Sequence, residues 1–373
     1  MAWEDVNLNA TPISLKQMLL LKYALRVYSD PAVRATEKEY GVPICFLPKK
    51  DWKSFVGRSA SKLHLLASLT EEIIDFVGVI SMEIMMWGFD HCEIVSGHFS
   101  SVKLWPDFQW KQQGRIDYLE TAKALIQNEN ICPTERFILA CNYCLEDDVH
   151  ALWNKIPRDL QNRIALANLS PIIQLWIGWI MRGERLDWSQ VVPACRRARS
   201  TFGATYKPVG LRMFAQHLTP EDTRQCVILS IERRVMHYDD LYYFFKKMST
   251  EQQIKLLEDH AFRVMKSFLH WPLQNFFMRM IDSIWTFLSE EQFRDMLHVI
   301  ICQVILKGWR DFDYLMLLEV FWNKSPPAYK RFVEKDPVYK LVTGLKDTVK
   351  IPWKKLSSIK CNCHSKPHIL YIE

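Results

Sequence analysis

Trp285-Thr-Phe-Leu-Ser289-Glu-Glu-Gln292 joins a bulky apolar residue to a short spacer, a hydroxyl residue, two acids and an amide. Such a phrase starts a helix: the serine side chain accepts from the backbone N–H three residues on, and the glutamine side chain reaches back to the serine N–H. Variants of it recur along the chain. Leu66-Ala-Ser-Leu-Thr70-Glu-Glu, Phe245-Lys-Lys-Met-Ser249-Thr-Glu and Ala215-Gln-His-Leu-Thr219-Pro-Glu keep the acid, while Trp153-Asn-Lys-Ile-Pro157 and Trp322-Asn-Lys-Ser325-Pro326 use proline. Proline suits a first turn because the N–H it lacks has no partner there. With a degenerate unit in each of the two longest gaps between starters, the step is roughly 30–45 residues, the range of stacked helix pairs.

The fold class predicted from this spacing is all-α, an irregular helical-hairpin, solenoid-like repeat array with a short basic C-terminal tail. Residues 1–58 form an N-terminal helix and connector, 59–345 the helical-repeat region and 346–373 the tail. An irregular bundle, in which good helix starts merely look alike, is the competing arrangement.

Working outward, Ser14-Leu-Lys-Gln17 is a capping box, and its helix should stop before Asp30-Pro31 because the residue before proline is driven out of the α region. Gly41, Pro43, Pro48 and Gly57 make 36–58 read as a connector. Thr70 should start a helix carrying Ile73, Ile74, Val77, Ile80, Ile84 and Met85 at three- and four-residue intervals, with Gly88 as its terminator. Residues 96–114 read as a loop. Pro133 opens a short helix, and Leu145-Glu-Asp-Asp turns into a second one. Further helices are predicted from Ser249 to about His270, from Pro272 to near Leu288, from Ser289 to Gly308, and from an Asp311 or Asp313 cap to Trp322.

Hydrophobic residues make up 49% of the 373-residue chain and charged residues 24%, enough apolar material for a sizeable core. Only 12 glycines are present, too few for the turns of a doubly wound sheet or a β-sandwich. The net charge is +6, yet Asn323–Glu373 alone carries 11 Lys/Arg against 4 Asp/Glu. That end either solvates itself or meets something acidic. The apolar stretch Met18–Leu25 is interrupted by Lys22 and lacks a cleavage site, so the expectation is an intracellular, cytoplasmic chain whose ten cysteines are reduced. Pro171–Met181 is too short for a membrane span, so none is expected.

Arg136-Phe-Ile-Leu-Ala140-Cys-Asn-Tyr-Cys144-Leu-Glu-Asp-Asp-Val149-His-Ala-Leu152-Trp153 resembles the helix pair of a degenerate ankyrin repeat, in which Leu-Ala of one helix faces Val and Leu of the next. It departs from that family in lacking the Thr-Pro-Leu-His opening, the glycine between the helices and a constant step. The Ala140–Trp153 phrase and Trp285…Leu-Ser-Glu-Glu-Gln-Phe293 make the whole chain similar to a large group of helical proteins encoded in spider genomes. That group brings no established activity to transfer.

Cys141-Asn-Tyr-Cys144 has knuckle spacing, but on a helix it shares the face of Phe137 and reads as core. Cys361, Cys363, His364 and His368 place four metal donors within eight residues of the tail. Their spacing fits no standard zinc motif, and an unliganded tail is the expectation. Arg196, Arg197 and Arg199, with Lys207 and Arg212 beyond, form a basic cluster able to hold phosphates, although a solvated helix face is the expectation. Trp176, Trp179 and Trp188 are core or exposed anchors of a binding surface. His91-Cys92 lacks an orienting residue at assignable spacing. No phosphate loop, His-Glu-x-x-His or Gly-x-Ser-x-Gly occurs. The function expected is a non-enzymatic intracellular scaffold for protein partners of unspecified identity, with no cofactor. The alternative is a nucleic-acid-binding protein using the basic clusters at 196–212 and 346–366.

Overall fold

The computed structural model describes residues 13–47, 49–64, 66–91, 107–166, 170–184, 187–197, 211–232 and 236–346. All regular structure among them is helical, and one isolated antiparallel bridge joins Trp110 to Ile116. None of these helices is long and apolar enough to cross a membrane. The chain divides into two compact units, one of Lys16–Met236 and one that takes in the chain from His237 on.

The Lys16–Met236 unit carries α1 (Leu15–Tyr28, joining it from Lys16), α2 (Pro31–Tyr40), α3 (Lys49–Ser61), α4 (Ala67–His91), α5 (Tyr118–Gln127), α6 (Pro133–Asn142), α7 (Glu146–Lys155), α8 (Arg158–Leu166), α9 (Pro171–Arg182), α10 (Val191–Arg197), α11 (Leu211–Ala215) and α12 (Pro220–Glu232). α1 stops before Asp30-Pro31 as expected. The supposed connector over 36–58 is instead largely helical. Pro31 opens α2, whose first turn is capped by the Asp30 side chain accepting from the Ala32 N–H. In α3, Trp52, Val56 and Ala60 are buried at intervals of four, a stripe hidden in the sequence by polar neighbours and by Gly57. α4 starts at Ala67, so Thr70 lies inside it and its hydroxyl donates back to the Leu66 carbonyl instead of capping. Gly88 is buried within α4, which continues to His91.

Beyond this, α6 packs on α5, α7 and α9, α9 on α10, and α10 on α12. Phe137 of α6 and Trp153 of α7 meet with ring centroids 5.0 Å apart, which closes the predicted helix pair. This run of neighbouring contacts is the part of the chain closest to a repeat array.

The unit from His237 on contains α13 (Tyr238–Lys247), α14 (Thr250–Ser267), α15 (Gln274–Met280), α16 (Glu290–His298), α17 (Tyr314–Lys324), α18 (Pro327–Val333) and α19 (Pro337–Lys346). Both expected capping boxes are formed, Ser249 with Gln252 and Ser289 with Gln292. Asp313 caps α17 through the Met316 N–H at 2.9 Å, whereas Asp311 is buried and accepts from Gln274 and Tyr314. The helix expected over 272–288 is broken: α15 ends at Met280 and only a 3-10 turn, Ile284–Thr286, follows. α16 runs on into a π-helical segment, Val299–Ile305, in which all seven residues are buried. α16 packs against α14, α18 and α19, and its π continuation against α17. α16 thus touches helices both before and after it in the chain.

Candidate functional site

The sequence places its candidate surface on α9 and the residues after it. Pro171 opens α9, and Ile172, Ile173, Trp176, Ile177 and Trp179 are buried. Gly183 ends the helix in the left-handed region at φ 67°, donating to the Ile180 carbonyl, while Glu184 N–H reaches back to Trp179. Asp187 then accepts from the Ser189 N–H at 3.1 Å, fixing the 3-10 turn Trp188–Gln190 that leads into α10. Hydrogen bonds from the Ser189 hydroxyl first, and from Gln190, hold the Asp187 carboxyl below its usual range.

The three tryptophans meet edge to face. Ring centroids are 5.8 Å apart for Trp176–Trp179, 5.9 Å for Trp179–Trp188 and 6.3 Å for Trp176–Trp188. Trp176 and Trp179 are 0% and 1% exposed, which removes them from any contact surface and makes them core. Their indole N–H groups have no hydrogen-bond partner among the described residues. Trp188 is half-buried, and the exposed His217 stacks on it at 4.3 Å with the rings 7° from parallel. One aromatic ring therefore reaches solvent from a rigid apolar base. α10 carries Arg196 and Arg197 at its end, but their side chains, and the whole of Arg199 and Lys207, lie outside the described residues.

The cysteines of the Cys141–Cys144 pair behave as core thiols. Burial raises the Cys141 pKa well above the ordinary value and pushes that of Cys144 up to about 12, so neither is an effective nucleophile near neutrality. His91 is fully buried: Nδ1 donates to the Trp87 carbonyl at 2.6 Å, leaving Nε2 to accept from the Tyr143 hydroxyl at 2.8 Å. Cys92 and the tail donors Cys361, Cys363, His364 and His368 fall outside the described residues. Among the described residues no group of three or more His, Cys, Asp or Glu is placed to hold a metal.

A second arrangement was not anticipated in the sequence. His298, at the end of α16, stands 3.0 Å through Nε2 from Oδ1 of Asp336, and its Nδ1 is 3.9 Å from Cys302 Sγ one turn along. His298 and Cys302 are only 4% exposed. The four-residue interval from His298 to Cys302 was visible in the sequence, but Asp336 joins them only through the packing of α19 on α16. No protein-family model, curated protein or solved structure matches the chain.

Proposed function

We propose that this chain is a non-enzymatic intracellular scaffold whose stacked helix pairs display a surface for a protein partner. The supporting observation is Trp188, a partly exposed indole stacked by the exposed His217 and braced by two fully buried indoles. A rigid amphipathic ring loses little conformational entropy on binding, which is why tryptophan anchors protein interfaces more often than other residues do. The neighbouring exposed side chains are mixed: Met181 is apolar, Arg182 pairs with Glu184 at 2.6 Å, and Asp187 is acidic. Acids beside the ring suit a peptide surface better than a phosphate backbone.

The test is affinity capture and cross-linking with wild-type chain and with Trp188→Ala. One partner is expected to be held by the wild type and lost by the variant, while circular dichroism of the two chains stays the same. Equal capture by both would defeat the proposal, as would salt-sensitive binding of polynucleotide that Trp188→Ala leaves intact, since salt sensitivity is the mark of phosphate contacts.

A further inference from the structure

Taking the docking role of Trp188 as given, we infer that its partner presents an arginine. The guanidinium stacks on the indole in the place that His217 holds in the free chain, and it pairs with the Asp187 carboxylate. The existing stack points to a flat ligand. His217 lies on Trp188 with ring centroids 4.3 Å apart and planes 7° from parallel, whereas Trp176 and Trp179 meet the same indole at steep angles of 89° and 63°. A face that accepts a planar, nitrogen-bearing ring has the shape for a guanidinium, which is planar, stacks on aromatic rings and is attracted by their negative faces.

His217 is an exposed occupant, placed in the short turn between α11 and α12. Besides the stack, its Nε2 accepts a long hydrogen bond from the Gln216 amide at 3.3 Å. Rotation of this one exposed side chain uncovers the indole, so no buried segment has to open. Charge then selects arginine over other flat groups. Asp187, the residue before Trp188, is exposed, and its Oδ1 accepts from the Ser189 N–H at 3.1 Å and from the Ser189 hydroxyl at 2.6 Å. Oδ2 accepts from the Gln190 amide at 2.9 Å and keeps a lone pair for a guanidinium N–H. Those bonds hold the carboxyl ionised, and no lysine or arginine among the described residues contributes to that. Arg182 is already paired with Glu184 at 2.6 Å.

The test is fluorine NMR of the full chain labelled with fluorotryptophan, in which the signal missing from Trp188→Phe identifies Trp188. The chain is titrated with an acetylated, amidated glycine–arginine–glycine peptide and with its citrulline counterpart, a neutral isostere. The arginine peptide is expected to shift the Trp188 signal saturably, and the citrulline peptide to leave it in place. His217→Ala should bind the arginine peptide about two- to tenfold more tightly, because one aromatic stack no longer has to be displaced. Asp187→Asn keeps an oxygen for the Ser189 N–H and should bind roughly two- to fivefold less tightly, the range of an exposed ion pair. Equal shifts from the two peptides, or none from either, overturn the inference, and so does binding that His217→Ala weakens or leaves unchanged. A partner lost with Trp188→Ala in the capture test would survive such a result, so the arginine can fail while the docking role stands.

Discussion

Gly114 shows how one residue can couple backbone and core. Its φ of 67° lies in the left-handed region, and a Cβ there would stand 2.5 Å from Leu21 Cδ2 of α1 and 3.4 Å from Ile80 Cδ1 of α4. Next to it, Arg115 is buried and donates to Glu83 at 3.0 Å, so the turn has no freedom to retreat. Gly114→Ala should destabilise the chain by about 2–4 kcal/mol, combining left-handed strain with overpacking. A denaturant midpoint unchanged from wild type would refute this. At the same scale, Trp176 and Trp179 reveal why apolar residues alone do not declare a surface. Nothing in the sequence separates them from Trp188; the stop at Gly183 and the Asp187 turn leave the third ring half-buried instead of enclosed.

Individual helices were legible where a capping side chain acts within a few residues of itself. Ser249, Ser289 and Asp313 cap as read because their partners are N–H groups in the following turn, a local arrangement that distant packing does not alter. Asp30 is a similar cap with a testable pH response. A hydrogen bond from Lys62 first, and the Ala32 N–H next, lower its pKa below the ordinary carboxylate value. A carboxyl lowered on folding adds stability above its unfolded pKa and loses that contribution as pH falls through the folded value. Asp30→Ala is therefore expected to cost about 1 kcal/mol near neutrality, with the gap in melting temperature between wild type and variant closing in acid. A gap independent of pH from 7 to about 3 would contradict this account, since that range spans the ordinary carboxylate pKa. Elements that depend on distant partners were misread. α3 looked like linker because its buried stripe of Trp52, Val56 and Ala60 is only a quarter of its length, and α4 gains its extra turn at Gly88 from burial rather than from any local signal.

Within the unit that begins at His237, the central rod of α16 and its π segment is where hydrogen-exchange protection should peak. Phe293, Met296, Leu297 and Val299–Ile301 are all 0% exposed, and Phe293 meets Phe321, Trp322 and Tyr329 at centroid distances between 5.3 and 6.2 Å. Amides of the most densely buried segment open only with the whole unit, so residues 296–305 should outlast those of α13 and α19 in exchange followed by mass spectrometry. Faster exchange in the rod than in those flanking helices would show that the core lies elsewhere. The sequence by itself determined the all-α class and several helix starts, because caps and the three-to-four-residue apolar interval are properties of a few adjacent residues. Tertiary structure alone decided which helices meet. The division at 236/237, the exposure of Trp188 but not of Trp176 or Trp179, and the approach of Asp336 to His298 all depend on residues far apart in the chain finding one another, and burial energy is indifferent to sequence distance.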